Sequence, residues 1–181
     1  TLATASGGLP ATAAGDLFIT EKSGDLYLVK AESAGGDVSV TAPGAIIDNT
    51  QMMLFTAEGL RRAYVCGSSR GVCHVPSIIH HALLRWLITQ DYPTAIPIST
   101  DGWLIEQPGL WSRRAPGTTC LNALKVSPRL GAVAENNSKG CGAVTRVAPC
   151  AFFANAFDYA AQSGRLTHGH PSGYLAAGLF A

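Results

Sequence analysis

The sequence predicts a mainly α-helical body, residues 44–181, behind a short β-rich N-terminal extension, residues 1–43. Three observations predict it. Thr50–Ala63 and Val75–Ile88 carry apolar residues at helical spacing. A glycine-rich turn, Gly140-Cys141-Gly142, feeds a further apolar run in which Val144, Val147, Phe152 and Phe153 recur at roughly that spacing. The N-terminal stretch instead holds short β-type runs, each preceded by Gly-Asp.

Length and composition bound the reading. A chain of 181 residues, 47% hydrophobic and 14% charged, can bury one substantial core. A formal net charge of +1 and the lack of a basic run exclude an electrostatic case for nucleic acid or an anionic membrane. Charged or histidine residues interrupt every apolar run before it could span a bilayer. The sequence shows neither an initiating Met nor a signal-peptide pattern, so a fragment or processed product is expected. Five cysteines at scattered spacing argue against a disulfide framework, and none has zinc-finger spacing. They read as small buried thiols of a reduced, cytoplasmic protein.

In the extension, Leu17-Phe18-Ile19-Thr20, Leu26-Tyr27-Leu28-Val29 and Val38-Ser39-Val40 follow Gly15-Asp16, Gly24-Asp25 and Gly36-Asp37. Strands at such intervals read as hairpins or as coils of a β-solenoid. The pattern resembles the Gly-Asp-x-x-Val/Leu repeats of bacterial β-helical adhesins, with a plain hairpin extension as the simpler alternative. Such strands expose edges, so self-association or cover by a partner is a further expectation.

From Gly44 the pattern turns helical. In the first helix Met53, Leu54, Ala57 and Leu60 share a face, with Glu58, Arg61 and Arg62 opposite. The second has Pro76 in its first turn. A Pro- and Gly-containing loop covers residues 91–102, and Thr118 or Thr119 is placed to cap a short helix. Phe152 to Ala161 continues helical, and a last helix opens at THGHPSGYLAAGLFA. Leu175, Leu179 and Phe180 leave an apolar surface there for a second copy or partner to cover.

The chemistry-bearing groups each carry two readings. Asp48, Asn49 and Thr50 form an oxygen-rich cluster before the first helix, able to ligate a hard cation such as Mg²⁺ or to cap the helix. Asn136, Asn137 and Ser138 are turn and N-cap residues leading into Gly140 and Gly142, whose missing side chains allow close approach of a phosphate or ribose. The same glycines serve equally in a tight turn between packed helices. Arg113 and Arg114 could meet a pyrophosphate or lie on a solvated surface. His168 and His170 could bind a metal, or contact a ligand or backbone at a helix entry. Of His80 and His81, one should pack and one meet solvent, and Trp86, Trp103 and Trp111 read as packing residues.

Four segments in order resemble the ADP-ribosylglycohydrolase family, including the dinitrogenase reductase-activating glycohydrolases. They are DNTQM from Asp48 with the LFTAEGLRRA helix, RAPGTTCLNAL from Arg114, NNSKGCGAVTRVAP from Asn136, and THGHPSGYLAA from Thr167. The resemblance spans residues 44–181 and implies part of a nearly all-helical domain. It implies Mg²⁺-dependent cleavage of the glycosidic bond between ADP-ribose and an Arg, Ser or related acceptor.

By the same resemblance, Asp48 and Asn49 fall where two metal-binding aspartates stand, and Asp48 is the catalytic metal ligand. Ile47 replaces a hydroxyl ligand. Ser138, Gly140, Cys141 and Gly142 fall on the ADP-ribose cradle, and His168 near the bound nucleotide. Asn49 and Ile47 remove charge and a ligand, which weakens a cation site. The family's later Asp-x-Asp-Ser/Thr motif does not occur before Ala181, and its N-terminal GDALG-type segment is replaced by the Gly-Asp stretch. The expected function is therefore an ADP-ribosylglycohydrolase-like protein with a weakened Mg²⁺ site, acting on ADP-ribosylated protein. The alternative is a non-catalytic ADP-ribose-binding remnant or an assembly module.

Overall fold

The computed structural model describes residues 9–13, 17–20, 28–33, 38–41 and 46–181. The chain divides into two compact units, Thr1–Ala45 and Ile46–Ala181.

The first unit contains β1 (Leu9–Ala13), β2 (Leu17–Thr20), β3 (Leu28–Ser33) and β4 (Val38–Thr41). The strands pair in parallel: β1 with β3, running from Leu9↔Leu28 through a register shift to Ala13↔Ser33, and β2 with β4, from Leu17↔Val38 to Thr20↔Thr41. This overturns the hairpin reading, because a tight turn can only join antiparallel neighbours and parallel ones need a crossover. The three Gly-Asp pairs, and Leu26-Tyr27 of the expected middle strand, lie outside the described residues.

The second unit is helical: α1 (Asp48–Arg70), α2 (Val75–Thr89), α3 (Thr118–Lys125), α4 (Ala156–Arg165) and α5 (Pro171–Phe180). Short 3₁₀ turns stand at Pro108–Leu110, Cys141–Arg146 and Ala148–Phe152. Among the described residues no helix is long and apolar enough to cross a membrane.

The antiparallel pair α1 and α2 forms the base of the core. Met52, Phe55 and Leu60 of α1 join Ile79, Leu83, Leu84, Trp86 and Leu87 of α2 in one buried cluster. The helices meet closely at Gly59, where an added Cβ would stand 2.8 Å from the Ile79 Cα. That approach corrects the expected face. Met53, Leu54 and Ala57 are only partly buried, whereas Met52, Phe55, Thr56, Gly59, Leu60 and Ala63 point inward. The glycine, with no side chain to hold the helices apart, sets the rotation of α1.

Several polar groups inside this core bond one another. Gln51 donates to the carbonyls of Ile46 (2.8 Å) and Ser112 (3.0 Å), while its own oxygen accepts from Trp86 (3.1 Å) and Gln90 (2.9 Å). Arg85, fully buried, donates to Glu58 at 2.9 Å, and Glu58 also pairs with Arg62 at 3.2 Å. Trp86 is a core residue as expected, but Trp103 and Trp111 are largely exposed. On α5, Leu175, Leu179 and Phe180 are exposed as well.

Three local expectations change. Ala143 to Phe153 is not an α-helix but two 3₁₀ turns, separated at Val147, with Pro149 in the second. Pro149 lacks the N–H that a continuing helix needs, and it disfavours α geometry in the residue before it. Phe152 is consequently turned out, 90% exposed, while Ala143, Val147 and Cys150 fill the core. Thr118 and Thr119 are helical residues, with Gly117 at the cap position and no side-chain cap bond.

Candidate functional site

The site grows from the start of α1. Asp48 is the first helical residue and Ile47 the N-cap, with no side-chain cap bond, so the capping reading of Asp48-Asn49-Thr50 fails. A carboxylate in the first turn is still favoured by the helix dipole. Asn49 reaches across to another segment: its Oδ1 accepts a hydrogen bond from the Thr145 hydroxyl at 3.0 Å. Thr145 lies in the 3₁₀ turn that begins at Cys141. The α1 N-terminus and the glycine-rich turn, almost a hundred residues apart in sequence, are thereby held side by side.

The glycine-rich turn is built by side chains on its N-terminal flank. Asn136 Oδ1 accepts from the Ser138 N–H (3.0 Å) and from the Gly169 N–H (3.0 Å), while its amide donates to the Thr167 carbonyl (2.9 Å). Ser138 Oγ accepts from the Gly140 N–H (3.3 Å) and lies 3.4 Å from the Thr119 hydroxyl. Asn136 and Ser138 are thus braces of an Asx-type turn, not caps of a helix. Cys141 is exposed at the crest of the turn, whereas Cys120 and Cys150 are buried. Burial pushes the Cys150 thiol up to about 11, which removes it as a nucleophile.

His168 lies beneath the glycines. An added Cβ at Gly140 or at Gly142 would stand 3.5 Å from its Nε2, so both absent side chains leave a notch over that nitrogen. The ring is buried, and this, with the nearby Arg146, lowers its pKa to about 4. Its Nδ1 is 2.8 Å from the Thr167 hydroxyl.

Arg146 is the feature that sequence reading missed. Its guanidinium is fully buried and donates to the Ser163 carbonyl (2.7 Å), Thr167 Oγ1 (2.8 Å), the Gly142 carbonyl (3.3 Å) and Cys120 Sγ (3.6 Å). It thus ties the glycine turn to the segment carrying His168. The signal was present: a cation in the middle of the apolar run AVTRVAP, with no acidic neighbour.

The other candidates go elsewhere. His170 Nδ1 accepts from the Ser172 N–H at 3.0 Å and caps α5. His168 Nδ1 is held by Thr167, and among the described residues no group of three or more ligating side chains includes the two histidines. Arg113 donates to the Gln90 carbonyl (2.7 Å) and stacks on Tyr92, so it braces the fold rather than meeting a pyrophosphate. His80 is fully buried and its Nδ1 accepts from the Gly131 N–H at 2.9 Å; His81 is half-buried beside Arg85.

Donor chemistry limits what a cation could find. Among the described residues no group of three or more His, Cys, Asp and Glu side chains converges. At the start of α1 only Asp48 offers a carboxylate. A clamp for two divalent ions does not fit these residues. Mg²⁺ in general keeps several waters and is usually held by one or two carboxylates together with substrate phosphates, and at the α1 start Asp48 is the residue that could supply such a carboxylate.

The juxtaposed α1 start, glycine turn and THGHPSG segment are three of the motifs behind the resemblance. The sequence profile of ADP-ribosylglycohydrolase matches residues 5–181. The chain belongs to the ADP-ribosylglycohydrolase family. The match starts well before residue 44, so the β-rich stretch of this ADP-ribosylglycohydrolase-like protein lies inside it. No curated protein and no solved structure matches the chain.

Proposed function

We propose that this ADP-ribosylglycohydrolase-like protein binds the ADP-ribose of a modified protein side chain and hydrolyses its glycosidic bond with the help of Mg²⁺. The observation that carries the reading is the Thr145–Asn49 hydrogen bond, which joins the first turn of α1, where Asp48 stands, to the 3₁₀ turn that begins at Cys141. The turn, with Ser138, Gly140, Cys141, Gly142 and the underlying His168, forms the cradle for the nucleotide. Asp48 is the cation ligand, and the Asn49 side chain, held by Thr145, fixes the first turn of the helix beside it. Mg²⁺, when bound, supplies Lewis-acid polarisation and a water of lowered pKa. In the reaction water adds at the anomeric carbon, the bond to the acceptor breaks, and the acceptor side chain leaves with a proton from that water. Free thiols throughout the second unit support a reducing, cytoplasmic setting.

A second reading, a non-hydrolysing ADP-ribose binder, is favoured by the lone carboxylate, since the residues do not fit a clamp for two ions. Calorimetric titration with ADP-ribose separates the readings. Micromolar affinity, about −8 kcal/mol, that strengthens with Mg²⁺ and loses this dependence in Asp48→Ala supports the metal-assisted reading. Release of ADP-ribose from a modified-arginine or modified-serine peptide then establishes hydrolysis. Binding indifferent to Mg²⁺, with no release, establishes the binder. Absence of binding by folded protein sinks both.

A further inference from the structure

The buried cluster beneath the glycine turn fixes a proton. An arginine N–H only donates, so Thr167 Oγ1 is an acceptor toward Arg146 at 2.8 Å. The hydroxyl hydrogen of Thr167 then has two candidate acceptors, His168 Nδ1 at 2.8 Å and the Gly164 carbonyl at 3.4 Å. The shorter distance is the usual one for a hydroxyl donor, and the longer lies beyond the normal range. The hydroxyl therefore donates to Nδ1. In a neutral imidazole the remaining proton must sit on Nε2. Among the described residues Nε2 has no hydrogen-bond partner, and it faces the notch left by Gly140 and Gly142, 3.5 Å from where either Cβ would be.

We infer that Arg146 and Thr167 are positioning residues that hold His168 as the Nε2–H tautomer, presenting an uncharged N–H donor to an oxygen of the ligand in the glycine turn. The identity of that oxygen, a ribose or diphosphate oxygen of ADP-ribose, rests on the function proposed above; the tautomer does not. Because the guanidinium is fully buried and hydrogen-bonded to carbonyls of both segments, it keeps the relay in register. The ligand chemistry this favours is an acceptor without a donor requirement, since Nε2–H cannot accept.

The test is ¹⁵N NMR of histidine-labelled protein without ligand, with the His168 signals assigned by their loss in His168→Gln. Pyridine-like Nδ1 and pyrrole-like Nε2 shifts in the wild type are expected, and the reverse pattern overturns the inference. Thr167→Val removes the hydroxyl while keeping the shape, and should yield mixed or reversed shifts with ADP-ribose binding weakened about tenfold, the size of one hydrogen bond. Thr167→Ser should restore both. Unchanged shifts in Thr167→Val overturn the relay. If the valine variant fails to fold, the wild-type shifts and those of the serine variant still decide. The expected tautomer in a protein that does not bind ADP-ribose supports the relay and sinks the ADP-ribose reading alone.

Discussion

At the scale of single residues, two buried histidines make stability depend on pH. Burial first, then Arg146 and His81, lowers the His80 pKa to about 4, and burial with Arg146 lowers that of His168 similarly. An unfolded histidine titrates near 6.5. Between these values the unfolded chain binds more protons than the native one, so acid favours unfolding. The stabilisation from the neutral form is fully present above about pH 6.5 and is lost as pH falls toward about 4, by roughly 3 kcal/mol for His80 alone. Urea unfolding across this window should show midpoints falling steadily with acidification, and His80→Gln should flatten the slope. A wild-type midpoint constant from pH 7 to 4.5 would contradict this. The buried roles of Arg146 and Thr167 were barely legible in the sequence, because the two meet each other across separate segments and Arg146 also reaches the Ser163 carbonyl. Asp48, Asn49 and the glycines stood out because of their residue types, whereas the partners they meet, Thr145 for Asn49 and His168 for the glycines, come from distant segments.

At the scale of elements, helix existence was readable and helix facing was not. The runs TQMMLFTAEGLRRA and VPSIIHHALLRWLI announce α1 and α2 by periodicity. Yet in α1 two overlapping apolar stripes fit the sequence, one through Met53 and Leu54, the other through Met52 and Phe55. Only the contact at Gly59 chooses between them. Gly59→Ala would put a Cβ 2.8 Å from backbone that cannot swing aside. Overpacking of this kind costs about 1–3 kcal/mol, which outweighs the gain of up to about 1 kcal/mol in helix propensity. A lower urea midpoint in Gly59→Ala is therefore expected, and a raised one would mean that the helices separate freely. The 3₁₀ turns were misread for a related reason: apolar spacing over eleven residues does not separate one long helix from two short turns, and Pro149 decides it.

At the scale of the whole molecule, the family was legible from four motifs, whereas strand pairing was not. Composition marks β1 to β4 as strands, but parallel partners some twenty residues apart leave no local trace, unlike a hairpin turn. The placement of the cysteines has a practical consequence. Of the five thiols only Cys141 is exposed, and it stands on the crest of the glycine turn. A maleimide dye in limiting amount should attach there first, with no engineered residue, and saturating ADP-ribose should slow attachment several-fold. Equal rates with and without the nucleotide would place the ligand away from the turn. The protein thus carries a native anchoring point for a fluorescent reporter at the rim of the proposed site, from which occupancy would be followed by light.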